Sequence, residues 1–197
     1  MEGRLIYVMG PSGSGKDSVI HEALKQMGPR ACLARRVVTR APMLNEDESV
    51  FVSEAEFVAL ERNGGLSMAW HANGYSYGIL RDLDELLREG RDVFVNGSRQ
   101  YLQNARQRYP SMVAVLMQVS PQMLRERLEA RGRENAAQID ARLQRNQDWL
   151  TVHDDVSLHP MIHVDNSGAL EITVQFLLAR LGNLHLPAQH TEGKPCA

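Results

Sequence analysis

Apolar residues are distributed along the chain in two alternating patterns, one typical of strands and one typical of helices. Short, nearly continuous apolar runs predict strands at residues 5–9, 31–38, 92–96, 112–119 and 161–164. Between them, apolar residues at helical spacing predict helices at 18–27, 83–87, 99–109, 121–130, 136–152 and 169–181. Strands that are apolar on both faces and alternate with helices form parallel sheets covered on both sides. We therefore predict an α/β fold built on such a sheet.

Local signals predict what lies between the second and third of these strands. Residues 43–48 are predicted to form a polar loop. Ser53 and Glu56 have the spacing of a capping box and open a further helix through about residue 62. Asn73 and Gly74 predict a turn, so a small hairpin-like insert is expected there.

The length and charge of the chain limit its class. Its 197 residues suit one domain, since domains usually have about 50 to 250 residues, and we predict a single domain over 1–183 with a flexible tail at 184–197. The formal net charge of −2 argues against broad nucleic-acid binding. Neither a leader peptide nor an apolar run of the roughly 18 residues that a membrane helix needs is evident. A cytoplasmic protein without membrane partners is expected, and the oligomeric state stays open.

A glycine-rich segment joins the first predicted strand to the first predicted helix. In this order, backbone N–H groups and the positive end of the helix converge on one anion. Lys16 is placed to reach the β- and γ-phosphates of a nucleotide, whereas the simpler alternative is a turn that caps a helix. The segment predicts ATP binding by Gly10, Pro11, Ser12, Gly13, Ser14, Gly15, Lys16, Asp17 and Ser18.

Asp17 stands where phosphate-binding loops usually carry a hydroxyl that ligates Mg²⁺. A carboxylate is also a hard oxygen ligand, so we predict Asp17 as a ligand of the Mg²⁺ that accompanies ATP, with the Ser18 hydroxyl as the alternative. No acid follows the strand at 92–96, and Asp92 lies at its start. The sequence therefore assigns no second protein ligand to the metal.

Five arginines surround the junction between the helices predicted at 121–130 and 136–152. Phosphoryl transfer needs cations that neutralise charge on the moving phosphate, and Gly132 suits a mobile lid. For each single arginine the alternative is a solvated helix face with an acidic neighbour. The cluster contains Arg125, Arg127, Arg131, Arg133 and Arg142, and we predict Arg127, Arg131 and Arg142 as catalytic together with Lys16.

Short motifs along nearly the whole chain occur in the order found in one known family. They are Gly10 to Lys16, Thr39 to Pro42, Phe51 to Ser53, Glu56 and Phe57, Trp70, Tyr77 and Gly78, and Arg127, Leu128, Arg131, Gly132, Arg142 and Leu143. In these motifs the sequence resembles the guanylate kinase family. The resemblance implies the nucleoside-monophosphate kinase form of the P-loop fold, with an acceptor-binding insert at about 40–80 and a lid near 125–142.

Three positions depart from the guanylate kinase pattern. The family usually has a second arginine and a tyrosine that grip the acceptor phosphate, and this sequence has Met43 and Ser49 there. It also has a glutamate that accepts hydrogen bonds from guanine, and this sequence has Ala69. Losing such a polar contact costs about 1–3 kcal/mol, which argues against guanine recognition.

The segments 15–18, 67–74 and 95–99 instead resemble those of the ribose 1,5-bisphosphate phosphokinases, which make 5-phosphoribosyl diphosphate during phosphonate breakdown. Their acceptor has no base and needs hydroxyl-reading groups and cations at both ends. The residues of suitable type are Arg40, His71, Asn73, Tyr77, Asn96, Ser98 and Arg99. Structural alternatives exist for some of them: a hairpin turn for His71 and Asn73, core packing for Tyr77, and a strand end for Asn96.

The resemblance implies ATP-dependent transfer of the γ-phosphoryl group to the 1-phosphate of ribose 1,5-bisphosphate, with Mg²⁺ as cofactor. Both substrates are small molecules. Two alternatives stay open at this point. One is a nucleoside-monophosphate kinase of altered base preference, and the other is a catalytically silent guanylate kinase-like module that binds a peptide through the insert.

Overall fold

The described part of the chain contains two β-sheets and the helices around them. The computed structural model describes residues 3–41, 49–72, 74–132, 134–152 and 161–183. The strands are β1 (Leu5–Met9), β2 (Ala31–Leu33), β3 (Arg36–Val38), β4 (Ser49–Phe51), β5 (Leu66–Ala72), β6 (Tyr75–Leu80), β7 (Asp92–Asn96), β8 (Val113–Gln118) and β9 (Met161–Asp165). The helices are α1 (Lys16–Met27), α2 (Glu54–Arg62), α3 (Asp82–Arg88), α4 (Leu102–Arg108), α5 (Pro121–Arg131), α6 (Ala136–Val152) and α7 (Leu170–Asn183).

Five parallel strands form the core sheet, in the order β2-β7-β1-β8-β9. Every residue of β1 is buried. Ile20 of α1 and Leu177 of α7 pack on one face, while Leu83 of α3 and Leu102 of α4 pack on the other. The predicted parallel sheet with helices on both sides is confirmed. In such sheets ligands bind at the carboxyl ends of the strands, where the loops after β1 and β7 are neighbours.

The apolar run at 31–38, predicted as one strand, is two strands in two sheets. β2 pairs with β7 in the core sheet, whereas β3 pairs with β4 and β6 in the second sheet. The Ala34 N–H donates to the Phe94 carbonyl at 2.8 Å, and the Arg35 carbonyl accepts from the Leu80 N–H at 3.1 Å. The chain therefore changes sheets between Ala34 and Arg35. The single-strand prediction was wrong because an apolar run suits either sheet.

The second sheet is the predicted insert, in the order β4-β3-β6-β5. β5 and β6 form an antiparallel hairpin at the predicted turn, where Gly74 has a φ of 79°. The capping box of Ser53 and Glu56 opens α2, whose Phe57 is buried against this sheet. The insert thus begins with β3, a few residues before the predicted boundary.

α5 and α6 are the two helices of the predicted lid, and they pack through Leu124, Leu128 and Ile139. The other predicted helices and strands are found within a few residues of their expected ends, and α1 begins at Lys16 rather than at residue 18. Predictions for Pro42, Met43, Asn73, Arg133, the loop at 43–48 and the tail from 184 fall on residues outside those described. Among the described helices, none combines the length and apolar character that crossing a membrane requires.

Candidate active site

The loop between β1 and α1 has the backbone of an anion cradle. Gly13 and Gly15 have φ angles of 97° and 80°, which residues with side chains rarely adopt. A Cβ atom at Gly15 would lie 2.5 Å from the side-chain nitrogen of Asn166, so this neighbour also excludes a side chain. Because α1 begins at Lys16, the positive end of the helix meets the loop.

Lys16 lies across the loop, and other cations act on it. Its Nζ donates to the carbonyl oxygens of the first two loop residues, at 3.0 and 3.2 Å. Burial lowers the pKa of Lys16 to about 8, and the neighbouring Asp17 opposes that change. The charges of Arg99, Arg36 and Arg131 lower the pKa further. Arg99 follows β7, Arg36 lies in β3 and Arg131 ends α5, so cations from three separate elements act on the pKa of Lys16.

The low pKa of Lys16 makes ATP binding depend on pH. The free protein loses the lysine proton from about pH 8, and a lysine that contacts the β- and γ-phosphates is expected to do so as the charged amine. We therefore expect the Kd for ATP to rise about tenfold per pH unit above pH 8. Calorimetric titrations between about pH 7 and 9.5 measure this slope. Lys16→Ala is expected to bind ATP weakly, with a Kd that does not change with pH over this range. A wild-type affinity that is flat over this range would contradict a charged contact between Lys16 and ATP.

Loss of the Lys16 proton weakens ATP binding but increases the stability of the fold. The unfolded chain binds the lysine proton up to its ordinary pKa of 10.5, whereas the folded protein releases it from about 8. The unfolded state therefore holds more protons in this window, and the contribution of Lys16 to the free energy of unfolding increases as the pH rises through it.

A cleft of about 350 Å³ opens beside the loop. Arg127 forms one wall, and its guanidinium donates to the Ser14 carbonyl at 3.3 Å and to the Asn166 carbonyl at 2.8 Å. The buried Asn166 side chain donates to the Ser14 carbonyl at 2.7 Å. The residues that line the cleft are Gly13, Gly15, Ser18, Arg127, Ala130, Arg131, Asn166, Gly168 and Leu170. Its position beside the phosphate loop suits the nucleoside part of ATP.

Asn166 and Gly168 were missed by the sequence analysis. They lie in the turn after β9, more than 150 residues from the loop they adjoin. The available signal was a polar turn of Asp165, Asn166, Ser167 and Gly168 at the carboxyl end of a parallel strand, where ligands commonly bind.

Asp17 and Asn96 are in contact beside the loop, and neither of them lines the cleft. The Asn96 Nδ2 donates to Asp17 Oδ1 at 2.6 Å, which brings the end of β7 to the start of α1. Ser18 instead lines the cleft. Asp92, at the other end of β7, is buried and paired with Arg4, and it therefore lies away from the loop. No cluster of three acidic, histidine or cysteine side chains suited to a metal occurs within the described ranges.

The segment after β7 is held by Tyr7, a fully buried residue of β1. The Tyr7 hydroxyl donates to the Ser98 carbonyl and accepts from the Ser98 N–H, both at 2.9 Å. A Cβ atom at Gly97 would lie 2.1 Å from the Tyr7 ring, so only glycine fits. Arg99 follows directly, donates to Asn146 of α6 at 2.7 Å, and has its pKa lowered to about 10 by burial. The anchor at Tyr7 thus fixes Arg99 between the core and the lid.

The insert presents a face of aromatic and cationic residues to the core. Trp70 of β5 stacks on Tyr77 of β6 with ring centroids 5.7 Å apart, and Tyr101 of the core lies 5.5 Å from Trp70. Arg36 of β3 donates to the Ser49 hydroxyl through two nitrogens, at 3.4 and 3.2 Å. Arg36 gives no separate signal in the sequence, because it lies within an apolar run. Among the other predicted acceptor residues, Arg40 follows β3 and donates to the Ala41 carbonyl at 3.2 Å.

His71 lies on the opposite face of the hairpin from Trp70, since neighbouring residues of a strand point to opposite sides. Its ring nitrogen lies 3.0 Å from the Ser76 hydroxyl, which donates to Glu54 at 2.5 Å. The bond from Ser76 is the main cause of a lowered pKa of Glu54. The geometry therefore favours the structural alternative for His71, a contact between the hairpin and α2, over the predicted contact with acceptor.

The lid arginines have different surroundings. Arg131 lines the cleft and is exposed. Arg142 forms an ion pair with Glu134, and Arg125 pairs with Asp140 at 2.5 Å, so both are engaged within the lid. Of the three predicted catalytic arginines, the structure brings Arg127 and Arg131 to the cleft and holds Arg142 in that ion pair.

Comparisons with known proteins agree with this geometry. The guanylate kinase family model matches residues 2–167. The ribose 1,5-bisphosphate phosphokinase PhnN of Pseudomonas paraeruginosa is 49% identical over 183 residues, covering 92% of this chain and 97% of the relative. The protein of the same name from Enterobacter lignolyticus is 39% identical, covering 96% of this chain and 98% of the relative.

Solved structures show the same fold. A guanylate kinase from Anaplasma phagocytophilum matches with a TM-score of 0.73 and 18% identity, over 95% of this chain and 88% of that one. A gluconokinase from Sinorhizobium meliloti matches with a TM-score of 0.54 and 22% identity, over 93% of each chain. The chain therefore belongs to the guanylate kinase family of P-loop kinases, in the branch formed by the ribose 1,5-bisphosphate phosphokinases.

Proposed function

We propose that the protein transfers the γ-phosphoryl group of ATP to the 1-phosphate of ribose 1,5-bisphosphate, giving 5-phosphoribosyl 1-diphosphate. The observation that carries this proposal is the phosphate-binding loop with Lys16 lying across it, together with Arg127 and Arg131 in the adjoining cleft and Arg99 on the segment after β7. An acceptor with two phosphates needs such charge at both ends. A guanine base needs a hydrogen-bonding partner instead, and at position 69, where the guanylate kinase pattern has a glutamate, this sequence has an alanine.

The reaction requires positioning more than proton transfer. The nucleophile is an oxygen of the acceptor's 1-phosphate, which is already ionised near neutral pH, so no general base is needed. The loop and Lys16 hold the transferred phosphate, Arg127 and Asn166 line the ATP cleft, and Arg99 directs the acceptor toward the loop. Arg131 adds positive charge where the phosphoryl group moves.

The residues beside the loop suit a bound Mg²⁺. This metal prefers hard oxygen ligands, usually keeps several waters, and takes one or two carboxylates together with substrate phosphates. Asp17 supplies an exposed carboxylate next to Lys16, and the Asn96 side chain beside it carries an amide oxygen. Bound there, Mg²⁺ would neutralise charge on the phosphates of ATP. Asp17 is the better candidate ligand, because Ser18 lies toward the cleft.

Exchanging Asp17 for serine tests this assignment. We expect Asp17→Ser to raise the Mg²⁺ concentration needed for half-maximal rate by about tenfold, because a neutral hydroxyl replaces a charged ligand. The readout is a set of Mg²⁺ titrations at saturating ATP. Glu22→Gln, on the exposed face of the same helix, is the control and should titrate like the wild type. An unchanged Mg²⁺ requirement in Asp17→Ser would remove Asp17 from the metal site.

The reaction itself is tested by identifying the product. Purified protein is incubated with ATP, Mg²⁺ and ribose 1,5-bisphosphate, and the mixture is followed by phosphorus NMR. We expect the signals of a sugar diphosphate to grow at the rate at which ATP is consumed. ATP consumed without a sugar diphosphate, or no consumption at all by the folded protein, would contradict the proposal. The second outcome would favour a silent interaction module.

A further inference from the structure

We propose that Arg36 and Ser49 form a subsite for the 5-phosphate of the acceptor, the phosphate that takes no part in the reaction. The inference rests on the proposed function and adds to it the side chains that distinguish a sugar bisphosphate from a sugar monophosphate.

Strand register places Arg36 on the face of the insert that is turned toward the core. Arg36 lies opposite Ile79 of β6, and two residues further along β3, Val38 lies opposite Tyr77. Directly opposed residues share a face of a sheet. Ile79 is fully buried in the cluster that joins the insert to the core sheet, so Arg36 shares this face with Ile79 and Tyr77.

Ser49 orients the Arg36 guanidinium. The two residues are partners in the parallel register of β3 and β4, and both Nε and Nη2 of Arg36 approach the Ser49 hydroxyl. In the resemblance to guanylate kinases, position 49 usually holds a tyrosine that grips the acceptor phosphate. A serine is much smaller, so it leaves room for a guanidinium, which binds phosphate through two parallel N–H groups.

The two ends of the acceptor then have different cations. Arg99 follows β7, is anchored through Tyr7 and Ser98 to the strand that precedes the loop, and belongs to the core. It is therefore placed to hold the 1-phosphate at the point of transfer. Arg36 belongs to the insert and meets the acceptor from the other sheet.

Two monophosphates that each carry one end of the acceptor test this subsite. Ribose 5-phosphate and ribose 1-phosphate are used as competitive inhibitors of the reaction with ribose 1,5-bisphosphate. We expect Arg36→Gln to raise the inhibition constant of ribose 5-phosphate about 10- to 100-fold, as for loss of a charged hydrogen bond, and to leave that of ribose 1-phosphate within about threefold. Arg36→Lys should recover part of the loss, since the charge remains.

Arg35→Gln is the matched control, because Arg35 is the preceding residue and pairs at the surface with Asp82. It should leave both inhibition constants unchanged. An equal loss for both inhibitors in folded Arg36→Gln, a loss confined to ribose 1-phosphate, or no inhibition of the wild type by ribose 5-phosphate would overturn the subsite while the proposed function stands. A wild type inactive on ribose 1,5-bisphosphate would overturn both.

Discussion

Replacing Lys16 with alanine is expected to lower kcat by about a thousandfold or more, the loss typical of removing a cation that stabilises the moving phosphate. Lys16 is the cation that lies across the loop between β1 and α1. The fold is expected to remain, because burial disfavours the charged amine and the neighbouring Asp17 keeps its hydrogen bond from Asn96. A steady-state assay with ribose 1,5-bisphosphate gives kcat, and thermal melting followed by circular dichroism gives the stability.

Lys25→Ala provides the comparison on the same helix. Lys25 lies in the last turn of α1 and pairs with Glu22 at the surface, so its removal should change neither the rate nor the melting temperature. Retention of more than about a tenth of wild-type kcat by Lys16→Ala would show that the loop lysine does not stabilise the transition state.

Replacing Arg131 with alanine is expected to lower kcat about 100- to 1,000-fold, with a much smaller change in the KM for ATP. Arg131 ends α5 and lines the cleft beside the loop, and we expect negative charge to develop there during transfer. An interaction made mainly in the transition state affects kcat rather than substrate binding. Steady-state kinetics at varied ATP separates the two parameters.

Two further variants make this result specific. Arg145→Ala removes an exposed arginine of α6 that bonds only to a carbonyl of its own helix among the described residues, and it should retain wild-type kcat. Arg142→Ala tests the competing assignment, in which the residue must leave Glu134 to act. A larger loss in Arg142→Ala than in Arg131→Ala would transfer the catalytic role to Arg142.

Local sequence patterns predicted the elements that form within short stretches of the chain. The loop at 10–15 is determined by glycines whose positive φ angles the motif requires, and the start of α2 by the capping box at Ser53. The division of residues 31–38 between two sheets could not be predicted in this way. It depends on pairing with β6 and β7, more than 35 residues further along the chain.

The site shows the same distinction between local and distant contacts. Lys16 and Asp17 were predicted because their roles follow from position within one motif. The contact of Asp17 with Asn96 follows only from the pairing of β1 with β7, and Asn96 had been predicted to bind acceptor. Arg36 gave no separate signal inside an apolar strand, and its position became apparent only when β3 was found in the insert.

A comparison of two acceptors under the same conditions tests most directly which substrate the protein phosphorylates. The measurement is kcat/KM for ribose 1,5-bisphosphate and for guanosine monophosphate, at fixed ATP and Mg²⁺. We expect the sugar bisphosphate to be preferred by about a hundredfold or more, because its two phosphates engage the arginines of both sheets and guanosine monophosphate carries only one phosphate. An equal or greater kcat/KM for guanosine monophosphate would contradict the account and assign the protein to nucleotide phosphorylation.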